Sequence, residues 1–231
     1  MNELYIYQHL QMGDHIICNG IIRNIAKNYD KIHLIVKPIY EESIKHMYSD
    51  LTNIDYIIKS LEDVDEYVKT LDQGKLLQIG HKYLRQHLNF DYGFYNQVGL
   101  NFSKRWTDFY IPRNNKRELE LFNKLVPKCH QNNFTFINED INRDDWRVLK
   151  IDFNKIRKDL CIIKPTRGIT NNIFDYMLIL EKAKEIHVVE SCFMFLIDSM
   201  KTTKDIFVHK YARKYTRVDI PSLNRPWKFF I

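Results

Sequence analysis

The sequence predicts an α/β protein of two lobes, each built on a parallel sheet, facing a central cleft. Three observations carry this. The first hundred residues alternate between strand-like and helix-like apolar patterns, and strand–helix units of that length imply a parallel sheet covered by helices. A second alternating series runs from residue 134 to residue 209. The polar stretch 128–133 separates the two series, and 231 residues suffice for two small lobes.

Residues 4–8 alternate as a strand, and residues 15–28 read as a helix with Ile16, Ile17, Ile21, Ile22 and Ile25 on one side. A strand at 33–37 stops at Pro38, and a short helix follows at 41–48. Residues 54–59 form a third strand, 62–71 a helix with acids in its first turn, and 75–80 a fourth strand. From 81 to 106 the pattern weakens under aromatics, including Tyr83, Phe90, Tyr92, Phe94, Tyr95, Phe102 and Trp106. Core packing is the commoner use of such residues, although they also stack on sugars and bases.

A helix at 114–125 ends before Pro127. Strands are expected at 134–138, 148–152, 160–164, 185–190 and 205–209. Helices are expected at 172–184, with Ile173, Met177, Leu180 and Ala183, and at 192–200. The tail holds Pro221 and Pro226 and ends in Trp227, Phe229 and Phe230, so it is expected to cross the surface without joining a sheet. The reading gives an N-terminal Rossmann-like lobe at 1–128 and a C-terminal one, with the tail, at 129–231. A single longer doubly wound sheet is the alternative.

The net charge of +6 suggests an anionic partner: a nucleotide diphosphate, a nucleic acid or an anionic membrane surface. The densest stretch, 201–217, includes Lys204, Lys210, Arg213 and Lys214, and such a stretch is ordinarily a solvated surface. Cys18, Cys129, Cys161 and Cys192 are far apart and form no metal-ligand pairs. They are expected as buried thiols outside any disulfide. No signal peptide or membrane-spanning run is visible, so a reducing, cytoplasmic setting is expected.

Three places combine chemistry-bearing residues with the right topology. Gly13 is read as the turn that lets the chain leave the first strand, and Asp14 as the acid at the mouth of the following helix. A carboxylate there serves either as a base or as an ordinary helix cap. His15 adjoins it but points elsewhere on a helix. The loop after the strand at 160–164 carries Lys164, Arg167, Thr170 and a glycine, which suits an anion, and Asn171 or Asn172 can cap the next helix. At the third place Glu190 ends a strand, and the amides of Ser191, Cys192 and Phe193 open a helix. Glu190 can accept hydrogen bonds from sugar hydroxyls. Alternatively Ser191 is a simple N-cap, with Phe193, Phe195 and Leu196 in the core.

Other motifs weigh less. Asp63-Val64-Asp65 lies in a helix first turn, where acids are expected without a metal. His81, His87 and Asp91 match no zinc spacing. No P-loop, Ser-nucleophile elbow or Gly-x-Gly-x-x-Gly is present.

Met12-Gly13-Asp14 followed by an apolar helix resembles the N-terminal motif of the heptosyltransferase-like, family 9 glycosyltransferases of GT-B fold. The run Val188-Val189-Glu190-Ser191-Cys192-Phe193-Met194-Phe195-Leu196 resembles that family's second motif, Asp-Thr-Gly-x-x-His-Leu, which binds donor phosphates. The resemblance implies Asp14 as catalytic base, with Glu190 and Ser191 at the Asp and Thr positions. Cys192 stands where the family has Gly, and Phe195 where it has His.

The resemblance also implies a metal-independent transfer of sugar from a nucleotide-diphosphate sugar to a carbohydrate or other hydroxyl acceptor, with no cofactor. Gly13, His15, Lys164, Arg167, Thr170, Glu190, Ser191, Cys192 and Phe193 are the expected binding residues. The competing readings are a non-catalytic nucleotide or phosphosugar-binding module and, least favoured, a basic nucleic-acid-binding accessory protein, whose affinity would fall steeply with salt.

Overall fold

The computed structural model describes residues 2–8, 11–83, 89–126, 133–139, 150–166, 168–201, 204–213 and 222–231. The chain divides into two compact units, Met1–Pro112 and Arg113–Ile231, each containing one all-parallel sheet. The expected lobe boundary at 128/129 falls outside the described residues.

In the first unit, β1 (Glu3–Gln8), β2 (Lys31–Val36), β3 (Ile54–Ile58) and β4 (Leu76–Ile79) lie in the order β3-β2-β1-β4. Side chains alternate between faces. Tyr7 and Ile35 share one face, and α4 (Leu61–Thr70) covers it with Val64 and Val68. Ile6, Leu34 and Val36 occupy the other face and are buried.

The single helix expected at 15–28 is two, α1 (Met12–Ile17) and α2 (Asn19–Ala26). Cys18, at φ −80° and ψ 3°, closes the first and opens the second. The isoleucine pattern runs straight through this break, because Ile16, Ile17, Ile21 and Ile22 are all buried on either side of it. After α3 (Glu41–Met47), the aromatic stretch folds as α5 (Phe90–Gln97) and α6 (Lys104–Thr107). Gly20 of α2 permits the close approach of α6, since a Cβ there would lie 2.3 Å from the Lys104 carbonyl oxygen.

In the second unit, β5 (Phe134–Asn138), β6 (Cys161–Ile163), β7 (Glu185–Val188), β8 (Asp205–His209) and β9 (Lys228–Phe230) lie in the order β6-β5-β7-β8-β9. The helices are α7 (Asn115–Leu125), α8 (Met177–Lys182), which continues a 3-10 turn at Ile173–Tyr176, and α9 (Cys192–Ser199). Phe136 of β5 packs its ring against Tyr176 and Phe193, fixing the sheet to two of these elements. Residues 150–152 are not a strand, and the rest of the expected strand at 148–152 lies outside the described residues.

Two expectations are corrected. The tail joins the sheet: β9 pairs in parallel with β8. Its anchor is Asp198, fully buried in α9, whose Oδ1 accepts from Asn224 N (2.8 Å), Arg225 N (3.2 Å) and Trp227 Nε1 (3.0 Å). A three-residue strand has too little periodicity to be read from sequence, so its docking decides it. The second correction concerns the thiols. Cys18 and Cys192 remain thiols, but Cys161 is disulfide-bonded. Sequence spacing alone does not reveal such a pairing.

Candidate active site

In open parallel sheets, ligands bind beyond the carboxyl ends of the strands, where the strand order reverses. In the first unit that place is beside β1, with β2 and β3 on one side and β4 on the other. In the second it is beside β5, with β6 on one side and β7 on the other.

Asp14 stands at the first of these edges, as the third residue of α1. Gly13 is not a turn residue with positive φ; those glycines are Gly80, Gly99 and Gly168. Gly13 is instead the buried second residue of the helix, and Gln11 makes the turn as N-cap. The Gln11 backbone N–H donates to Asp14 Oδ2 at 3.2 Å, while the Tyr40 hydroxyl donates to the Gln11 side-chain oxygen. The Asp14 carboxylate is half-buried and held from behind. A carboxylate so placed can cap its helix and still accept a proton from a bound hydroxyl.

Lys37, just past β2, is buried, and desolvation lowers its pKa while the Asp14 charge opposes that fall. His15 points inward with its ring edge-on to Tyr40, 6.1 Å between centroids. Burial, then the Lys37 charge, lowers its pKa to about 3, so the imidazole is neutral at ordinary pH. Its Nε2, like Oε1 of Gln8 at the end of β1, is buried with no hydrogen-bond partner among the described residues. Gln8, Gln11, Lys37 and Tyr40 carried no sequence signal, because the pairing of β1 with β2 brings them to one edge.

At the second edge, Glu190 follows β7 and is half-buried. Ser191 is the N-cap of α9, but its hydroxyl does not cap; it donates to Asn138 Oδ1 at the end of β5, 2.6 Å away. Cys192 and Phe193 are the first two residues of α9. The Phe193 side chain is core, packed on Phe136 and Tyr176, which leaves only its backbone for a ligand. Phe195 is buried as well.

The loop after β6 is held from within the unit. Lys164 Nζ contacts Glu139 Oε2 at 2.6 Å and lies 4.4 Å from the centre of the Phe153 ring, so its charge is already matched. Thr170 donates to Asp175 Oδ2, which Arg117 of α7 also binds at 2.8 Å. Asn172 caps the 3-10 turn by accepting from Phe174 N at 3.1 Å. Arg167 lies outside the described residues.

The weaker motifs resolve structurally. The Asp63 carboxylate accepts from the Ser60 hydroxyl at 2.6 Å at the head of α4, and Asp65 faces Tyr7 Oη at 3.5 Å. Asp91 pairs with Arg105, His81 packs against Phe90 and Phe94, and His87 lies outside the described residues. Among the described residues no group of three or more His, Cys, Asp or Glu side chains is placed to hold a metal. No described helix is long and apolar enough to cross a membrane.

No family model matches the sequence, and no curated protein does. Among solved structures, the chain is similar to a family 9 glycosyl transferase from Veillonella parvula, with a TM-score of 0.56 at 8% identity over 90% of this chain and 80% of that one. It is also similar to Escherichia coli heptosyltransferase WaaC with ADP-2-deoxy-2-fluoro heptose, with a TM-score of 0.49 at 9% identity over 100% of this chain and 93% of that one. The first likeness shows a shared α/β fold with two parallel sheets.

Proposed function

We propose that this chain is a glycosyltransferase that moves a sugar from a nucleoside-diphosphate sugar to a hydroxyl acceptor. The observation that carries the reading is Asp14: a carboxylate oriented by Gln11 at the β1–α1 junction, in a chain that shares its fold with a family 9 glycosyl transferase. In this reading Asp14 takes the proton of the acceptor hydroxyl as its oxygen bonds to the anomeric carbon. The bond between the anomeric carbon and the diphosphate oxygen breaks as the new one forms, and its electron pair leaves on the nucleoside diphosphate, which carries the charge away.

The donor diphosphate is assigned to the head of α9, where backbone N–H groups and the helix dipole stabilise developing negative charge. Glu190 beside it is suited to sugar hydroxyls. The transfer is read as needing no bound metal. Support comes from Asp63 and Asp65, the residues matching a metal-holding pattern, which are engaged by Ser60 and Tyr7.

A thermal-shift panel of nucleoside diphosphates and nucleotide sugars tests the reading. Ligand at about a hundred times its Kd stabilises the fold by about 2.7 kcal/mol, a shift of several degrees. A flat response across the panel overturns the donor assignment. The Glu139–Lys164 pair favours a second reading, a binding module without catalysis, because it removes a cation from the donor edge. That reading predicts a thermal shift without release of free nucleotide on prolonged incubation.

A further inference from the structure

A single apolar ring on a protein surface is ordinary. Phe153 is 43% exposed, but the chain around it is pinned. Ile151 and Ile156, on either side, are buried together with Ile137 of β5 and Val189, the residue before Glu190. Ile151 N donates to Glu139 Oε1 at 2.9 Å, and Asp152 N donates to Tyr211 Oη at 2.6 Å. Asp152 Oδ1 accepts from Asn154 N at 3.0 Å, capping the 3-10 turn Phe153–Lys155. The ring is therefore held outside the core at a fixed place.

That place is the carboxyl edge of the sheet beside β5, the edge beyond which open parallel sheets bind ligands. The Lys164 ammonium, just past β6, lies 4.4 Å from the ring centre and 2.6 Å from Oε2 of Glu139, just past β5. One face of the ring thus carries a cation, which draws π density towards itself. The other face is then a poorer partner for the partly positive C–H groups of a sugar, while dispersion with a flat partner remains. From this geometry we infer that Phe153 is the platform on which the base of the donor nucleotide stacks. Stacking reads flatness, and every base has a π-face, so the ring accepts any of the four common bases. The inference rests on the nucleotide-sugar donor proposed above and adds to it the seat of the base.

The test titrates ADP, GDP, CDP and UDP into wild type, Phe153→Ala, Phe153→Leu and Phe153→Tyr, with the ligand-free Tm of each measured alongside. Because the ring stands outside the core, all three variants should melt near wild type. Phe153→Ala and Phe153→Leu are expected to bind the diphosphates about tenfold more weakly, since Leu keeps apolar bulk but not the flat face. Phe153→Tyr keeps that face and stays within about twofold of wild type. The proton resonances of the bound base move upfield over the ring in wild type and in Phe153→Tyr, and not in Phe153→Leu. Wild-type affinity in Phe153→Ala or Phe153→Leu, or base resonances that do not move in wild type, overturns the inference and leaves the nucleotide-sugar donor standing. A wild type that binds none of the four diphosphates overturns both.

Discussion

His187 Nδ1 lies 2.9 Å from His209 Nε2, joining β7 to β8 through their side chains. The bond is one link in a chain. Asp152 N donates to Tyr211 Oη at 2.6 Å, and Tyr211 Oη lies 2.8 Å from His209 Nδ1. At the far end His187 Nε2 faces Glu185 Oε2 at 3.5 Å. Every link is satisfied with both imidazoles neutral, each carrying its proton on Nε2.

Burial lowers the pKa of both rings, that of His209 to about 4, with His187 and Lys155 adding to the fall while Asp152 and Glu139 oppose it. The unfolded chain therefore takes up protons that the folded chain refuses. The contribution is full above the unfolded value of 6.5 and is lost as pH falls towards 4. His209 alone should remove about 2 kcal/mol between pH 7 and pH 5. Denaturant titrations at the two pH values measure this, and His209→Gln should flatten the difference.

The second unit also depends on Asp198, which holds three donors of the tail on one oxygen. Asp198→Ala leaves the Trp227 indole N–H and two backbone N–H groups without that acceptor and should cost about 2–4 kcal/mol. Limited proteolysis should then cut within residues 222–231 before the rest of the chain. A tail as resistant as that of wild type would contradict the anchoring role.

Much of this fold was legible. Buried parallel strands read as apolar runs, and β1, β2, β3, β5 and β8 fall within two residues of their expected bounds. Contacts made through topology were not legible. Nothing in the sequence brings Asn138 to Ser191, because the reversal of strand order beside β5 does so. The same holds for Tyr40 and Gln11 behind Asp14. The α1–α2 break was hidden because both helices bury isoleucine on a continuous period, and β9 because docking, not pattern, creates it. The places of Asp14, Glu190 and Ser191 at strand–helix junctions were legible from the strand–helix pattern. The place of Lys164 after a strand was legible too, but the Glu139 that neutralises it was not.

In the first unit, Arg105 and Asp91 form a fully buried pair at 2.6 Å. Arg105→Met leaves a buried carboxylate uncompensated and should destabilise by about 3–5 kcal/mol. The double variant Arg105→Met/Asp91→Leu should recover a large part of that loss. Urea midpoints for the two variants decide the point, and equal midpoints would refute it.

Glu139 sets the charge at the edge proposed to hold the donor. Glu139→Gln keeps an acceptor for Ile151 N, which now donates to Oε1 at 2.9 Å, but releases the Lys164 ammonium from its partner. Pyrophosphate should bind several-fold more tightly, with a steeper loss of affinity as salt rises. Titrations at low and high ionic strength check both parts.

The most direct test of the glycosyl-transfer reading compares wild type with Asp14→Asn. Release of nucleoside diphosphate from a panel of nucleotide sugars is followed while nucleotide binding is measured in parallel. Asp14→Asn keeps the size of the side chain and an acceptor for Gln11 N, and removes the base. The account predicts nucleotide release by wild type, its loss by at least about a hundredfold in the variant, and equal nucleotide affinity in the two. Release by Asp14→Asn at the wild-type rate would contradict it.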